Sequence, residues 1–444
     1  MTTIQAIWQR LTHLSRHDAL VIVVPLLILL ALVSWAALKF MRPAPPDHFT
    51  IVTGAADGAY QIYAARYKEF FAKNGITLEI KASAGSAENL RRLLDPKEDV
   101  DVGFLQSGAT LGQDVSGLVS LGILYPEPLW LFHRADLPVE DLGQLKGKRV
   151  AVGPEGSGTR LLALELLRAH GLEAATEHTS PLSGMAAAQA LIDREVDAVF
   201  VVGSAQSSAV WAMFYTPNIE IFNFTQAEAY VRRFPYLSAL TLPRGAIDFP
   251  RNIPKRDLNL VAPSATLVAR EDFHPALSDL LLQAASATHG PAGLFQRAGQ
   301  YPSANGVEIP LSREAERYYK SGKPFLQRYL PFWAATLINR LVFMLLPLLV
   351  VLVPLFRIVP FLYSWRVRRR IFRYYGELKF LEVQVRDAPE SKTQQEWLAE
   401  VDRIERAAHR IRTPLAFANQ VYMLRQHVQL VRKALLHQFG HAQK

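Results

Sequence analysis

The chain has 444 residues, enough for two or three domains, and half of them are hydrophobic. It has no cysteine, which excludes disulfides, thiolate metal sites and cysteine nucleophiles. Its net charge of +9 lies wholly in residues 357–444, which hold 17 Lys and Arg against 8 Asp and Glu. The rest of the chain is neutral and does not read as a nucleic-acid-binding surface.

Residues 19–38 carry no charge over 20 positions. That is the length of a helix crossing a bilayer core of roughly 30 Å. They are expected as an uncleaved transmembrane helix behind a short cytoplasmic segment, 1–18. A Pro-rich linker, 43–46, follows. A strand is then expected at 49–53, a glycine turn ending at Tyr60, and a helix over 61–73. A second strand at 76–82 precedes the turn Gly85-Ser86-Ala87-Glu88-Asn89, which opens a helix through Leu94. A third strand, 100–105, ends in Gln106-Ser107-Gly108. Strands alternating with helices predict a mostly parallel sheet covered on both faces. Ligands bind such sheets outside the carboxyl ends of the strands.

The apolar run 121–132 contains Tyr125-Pro126-Glu127-Pro128 and is expected to cross into a second lobe. There Val150-Ala151-Val152 meets the glycine turn Gly153-Pro154-Glu155-Gly156-Ser157-Gly158, and a helix begins near Thr159 and Arg160. Ser157 or Thr159 caps that helix. Its free N–H groups and its dipole suit an anion. The same pattern equally describes an ordinary strand-to-helix turn. It is neither a P-loop nor a dinucleotide fingerprint. A helix over 184–192 and a buried strand over 196–202 repeat the alternation. Two such units suggest two lobes with a ligand cleft between them. The segment 258–269 is expected to return to the first lobe, ahead of a helix over 274–288.

A second apolar run, 337–356, is expected as another transmembrane helix. The arginines that follow, from Arg357 through Arg373, place the tail 357–444 on the cytoplasmic side. Both termini are then cytoplasmic, with the main domain periplasmic at a bacterial inner membrane. Tail helices are expected at 378–385, 397–411 and 414–436.

No HExxH and no GxSxG stands in the sequence, so no enzyme, metal or cofactor is expected. The residues at the expected strand ends instead make a binding set: Tyr60, Ser86, Asn89, Gln106, Ser107, Ser157, Thr159 and Arg160. Arg160 is either a two-pronged partner for a ligand carboxylate or an exposed helix residue.

The turns at 53–60 and 85–89, Phe104-Leu105-Gln106-Ser107, Tyr125-Pro126-Glu127-Pro128-Leu129, the stretch 147–159 and Asp197-Ala198-Val199-Phe200 together resemble the TAXI-type solute-binding proteins of TRAP transport systems. The resemblance covers 49–325 and adds Glu127 beside the cleft. It implies an α/β, type II periplasmic-binding-protein-like two-lobe fold at 47–330. Lobe 1 would be about 47–130 and 262–330, and lobe 2 about 135–257, with two transmembrane helices and an α-helical tail around them. The implied function is an anchored extracytoplasmic receptor for a small organic anion: a dicarboxylate, 2-oxo acid or acidic amino acid. It would close on hinges near 129–134 and 258–267 and serve TRAP permease subunits. The tail and the double anchor favour an alternative, a transmembrane ligand sensor signalling through the helical tail.

Overall fold

The computed structural model describes residues 44–56, 58–137, 139–172, 178–411 and 417–441, with residues 24, 27, 28, 31–35 and 39. Residues 43–337 form one compact unit, and 1–42 with 338–444 form another.

The first unit opens with β1 (His48–Val52), α1 (Ala59–Ala72), β2 (Thr77–Lys81), α2 (Ser86–Leu94), β3 (Val102–Gln106), β4 (Leu118–Pro126) and β5 (Leu129–Arg134). It continues with β6 (Val150–Ala151), α3 (Gly158–Ala169), β7 (Thr179–Ser180), α4 (Gly184–Ile192), β8 (Ala198–Val202), α5 (Ser208–Tyr215) and β9 (Ile219–Ile221). After α6 (Ala227–Arg233) come β10 (Ser238–Leu242), β11 (Leu258–Ala262), β12 (Ser264–Arg270), α7 (Pro275–His289) and α8 (Arg313–Ser321).

The local sequence explains these elements. In α1, Tyr60, Ala64, Tyr67 and Phe71 fall at spacings of four, three and four and are the buried face. β3 is buried at every position, as an inner strand covered on both faces must be. His274 caps α7, and Pro275 occupies its first turn, where no N–H is needed.

Two five-stranded sheets result, ordered β2-β1-β3-β12-β4 and β7-β6-β8-β5-β9. The two orders are one pattern used twice. In each, the first three strands pair in parallel, the fourth place is taken by an antiparallel strand that arrives from the other lobe, and the fifth runs with the first three. β5 follows β4 after two residues yet pairs in the second sheet, and β12 follows β11 after one residue yet pairs in the first. The chain thus crosses between lobes at Glu127-Pro128 and again at Pro263. The apolar run 121–132, read as one segment, is two strands in two sheets. This is the two-lobe α/β architecture of periplasmic-binding-protein-like folds.

Each lobe has its own core. In lobe 2, Trp130 is fully buried, packs against Phe214 at 5.7 Å and Phe295 at 6.1 Å, and donates its indole N–H to the Gly203 carbonyl at 2.9 Å.

Among the described residues, no helix is long and apolar enough to cross a membrane. The two expected spans are therefore not supported. The first, 19–38, falls largely outside the described residues. The second, 337–356, lies inside α9 (Phe332–Asp387), a single helix of 56 residues. That helix merges the expected span with the expected tail helix 378–385. α10 (Gln394–Arg410) begins at a capping box between Thr393 and Glu396. α11 (Ala418–His441) completes the tail, and the expected start at Pro414 lies outside the described residues. Leu378 and Leu381 pack with Trp397, Val401, Ile404 and Val428 in one hydrophobic cluster.

Trp130→Ala is expected to destabilise the protein by about 3–5 kcal/mol through the cavity left behind and the orphaned Gly203 carbonyl. The midpoint of urea unfolding followed by circular dichroism measures it.

Candidate functional site

The carboxyl ends of the parallel strands in both sheets face one cavity of about 150 Å³. Helices α1 to α5 each bring their first turn to its wall. The wall residues are Ala59 and Tyr60, Ser86, Gly158 and Thr159, Gly184, and Ser208 and Ala209 respectively. First-turn N–H groups have no acceptor inside their own helix. Some are satisfied locally: Ser157 Oγ takes the Arg160 N–H at 3.2 Å, and Ser207 Oγ takes the Val210 N–H at 3.3 Å. The remaining N–H groups and the positive ends of five helix dipoles meet at this cavity, with no cationic side chain in its described lining.

Six of the nine expected residues meet here: Tyr60, Ser86, Gln106, Glu127, Ser157 and Thr159. Three stand elsewhere. Asn89 is fully buried below the turn, donating to the Thr53 and Phe104 carbonyls and accepting from Ser83 Oγ. Every polar atom of its amide is occupied by the fold. Ser107 holds the lobe crossing, donating from Oγ to the Ser264 carbonyl at 3.0 Å and accepting the Ser264 N–H at 3.1 Å. Arg160 bends back on its own turn, with Nη1 3.4 Å from the Gly153 carbonyl. The cation expected to hold a carboxylate is thus outside the cavity wall. The serines of lobe 2, Ser183, Ser204, Ser207 and Ser208, were missed. The strand-end rule applied after β8, at Gly203-Ser204, would have found most of them.

The lobes touch over the cavity. The Gly156 carbonyl accepts the Ala87 and Glu88 N–H groups of α2, both at 3.2 Å. Gln106 Nε2 donates to the Gly158 carbonyl at 3.3 Å. Glycine suits this seam, and its backbone demands it at Gly85. A Cβ on Gly158 would lie 2.3 Å from Gln106 Oε1, and one on Gly85 would lie 3.1 Å from the Ser157 Cα at a backbone φ of +137°.

Glu127 is the one charged side chain in the described lining, and it is 4% exposed. Tyr60 donates to its Oε2 at 2.8 Å and Tyr125 to its Oε1 at 3.4 Å. Burial pushes its pKa up to about 7 against the pull of the two tyrosine hydroxyls. Behind it, His289 stacks on Tyr125 at 5.3 Å and shares a 2.8 Å hydrogen bond with Tyr67. Burial lowers the His289 pKa to about 3, so it is neutral.

A carboxyl whose folded pKa is raised binds its proton more tightly when folded, so stability falls as pH rises between the unfolded and folded values. In the ligand-free protein, stability is expected to fall by roughly 3 kcal/mol from this one group between pH 4.5 and about 7. Glu127→Gln should flatten that slope in thermal-unfolding scans across the pH range.

Among solved structures, the chain is similar to a protein of Bordetella bronchiseptica RB50 at 19% identity and a TM-score of 0.41, covering 56% of this chain and 72% of that one. It is similar to the periplasmic aliphatic sulphonate binding protein SsuA of Escherichia coli at 16% identity and a TM-score of 0.34, covering 55% and 69%. It is similar to an ancestral arginine-binding protein bound to arginine at 13% identity and a TM-score of 0.36, covering 55% and 92%. These likenesses carry no argument about this chain's ligand. A model of the NMT1-like family matches residues 51–321. That match spans more than half of the chain, and the chain belongs to the NMT1-like family.

Proposed function

We propose that this protein is a receptor for a small organic acid, held between the two lobes and bound rather than turned over. One observation carries the reading. Five helix N-termini, from both lobes, open on one cavity with no cationic side chain in its described wall. An anionic group is what such a cavity stabilises, because N–H donors and dipoles act strongly where water is excluded. Lobe closure over the ligand is the mechanism. The crossings at Glu127-Pro128 and Pro263 act as hinges, and the Gly156–α2 contacts act as a latch.

The finer reading is delivery of the ligand to a TRAP-type permease by a TAXI-type receptor anchored at an inner membrane with this domain periplasmic. It is supported by the motif resemblance over 49–325 and by the uncharged stretch 19–38 of the sequence. A second reading, a ligand sensor, is favoured by the tail, where α9, α10 and α11 build a hydrophobic core of their own. Deleting residues 388–444 separates the two: uptake survives the deletion under the first and signalling is lost under the second.

Thermal shifts against dicarboxylates, 2-oxo acids and amino acids test the receptor reading. A ligand at one hundred times its Kd should stabilise the protein by about 2.7 kcal/mol. A folded protein that responds to none of them would sink it. Gly158→Ala should weaken binding of the identified ligand at least tenfold, because its Cβ meets Gln106 and holds the lobes apart. Isothermal titration measures this, with unchanged circular dichroism as the control.

A further inference from the structure

We propose that the loop joining β10 to β11 docks on an anionic lipid bilayer, with the Phe249 ring entering the membrane and the cations around it meeting the headgroups. This stands apart from the receptor reading. α5 reaches the cavity with its first turn and this loop with its last residue, Tyr215.

Phe249 is 84% exposed, more than any other large apolar side chain among the described residues. Its loop is nevertheless firmly built. The Ile247 and Asp248 N–H groups donate to the Ile253 carbonyl at 2.9 and 3.1 Å, and the Ile253 N–H donates back to the Asp248 carbonyl at 2.9 Å. At the tip the Asn252 N–H closes on the Phe249 carbonyl at 3.1 Å. Asp248 Oδ1 accepts the Arg251 N–H at 3.0 Å, and its Oδ2 accepts the Tyr215 hydroxyl at 2.8 Å, which ties the loop to α5. Ala246 and Ile247 pack against the lobe 2 core. The ring is therefore presented to solvent by a fixed backbone, and docking it costs little ordering entropy.

The surroundings of the ring decide what it meets. Residues 243–257 carry Arg244, Arg251, Lys255 and Arg256, all exposed, against Asp248 and Asp257. Both carboxylates hold the loop itself, Asp257 by accepting the Arg244 N–H at 2.7 Å. Beside the loop, Trp211 stacks on Tyr215 at 5.4 Å, and the Arg251 guanidinium lies over the Tyr215 ring at 5.1 Å. An apolar tip, a Trp and a Tyr next to it and a collar of cations suit the bilayer interface. The ring reaches the acyl boundary, Trp and Tyr sit at headgroup level, and Arg and Lys meet lipid phosphates. A protein partner matches less well. A stable protein interface covers about 800 Å² on each side around an apolar centre, whereas the apolar tip here is one protruding side chain ringed by charge.

The test uses the absence of cysteine. Pro250→Cys places a single polarity-sensitive fluorophore beside the ring in the full chain. A label at Lys73→Cys, an exposed position in lobe 1, is the reference for membrane contacts made elsewhere in the chain. Each labelled protein is titrated with vesicles of phosphatidylcholine, with or without phosphatidylglycerol. The label at 250 should shift to the blue on anionic vesicles, at roughly tenfold or more lower lipid concentration than on neutral ones, and high salt should reverse the shift. The label at 73 should stay in water. Phe249→Ser should abolish the shift, and Arg251→Gln with Lys255→Gln and Arg256→Gln should weaken it about tenfold or more, with thermal unfolding as the control for folding. A label at 250 that stays in water on anionic vesicles, responds equally to neutral ones or shifts unchanged in both variants overturns the inference. So does a shift that requires a membrane protein in the vesicles, which would assign the loop to a protein partner.

Discussion

The structure depends on one junction. Where β4 ends and β5 begins, the Glu127 backbone N–H donates to the Pro263 carbonyl at 2.8 Å, so the two lobe crossings lie side by side. Proline at both crossings fits this duty. It lacks an N–H and holds the preceding residue extended, which ends one sheet's hydrogen-bond ladder without starting a helix. Ser107 reinforces the junction by bonding both backbone groups of Ser264. The residue at the first crossing also carries the one charged side chain in the cavity's described lining. Rotation at the crossing and charge in the cavity are therefore properties of the same residue.

Around that junction the aromatic packing has a directional role. Tyr60 stacks on Phe104 at 4.9 Å and Tyr125 on His289 at 5.3 Å. Each tyrosine is thereby held with its hydroxyl on Glu127. Burial drives both tyrosines further from ionisation and keeps His289 neutral. This is a lining of neutral donors around one carboxyl, and in a low-dielectric space that arrangement makes the state of Glu127 sensitive to whatever enters. The seam above it is made largely of backbone, with the Gln106 side chain as the exception. Gly85 lets the two lobes meet main chain to main chain, and Gly158 leaves room for the Gln106 side chain that bonds its carbonyl.

Much of this was legible in the sequence. The alternation of short apolar strands with glycine turns and amphipathic helices determined an α/β fold. The turns at Tyr60, Ser86, Gln106 and Thr159 marked the strand ends that the structure brings to one cavity. Local chemistry was enough for that, because a strand, a tight turn and a helix cap are each encoded within a few residues. The absence of cysteine and the confinement of positive charge to 357–444 were equally plain.

What only the tertiary structure decided was the partnership of distant residues. Asn89, Ser107 and Arg160 have the residue types of a binding site, yet Asn89 and Ser107 spend their polar atoms on groups that folding brings near, and Arg160 turns Nη1 onto the Gly153 carbonyl. Nothing local shows which carbonyl will lie beside an amide. That the run 121–132 splits between two sheets, and that Glu127 lies buried beneath two tyrosine hydroxyls, follows from the chain crossing between lobes. The sequence by itself determined the parts and the polarity of the site. The fold decided which groups were spent on structure and which remained for a ligand, because hydrogen-bond satisfaction is settled by contacts between segments far apart in the chain.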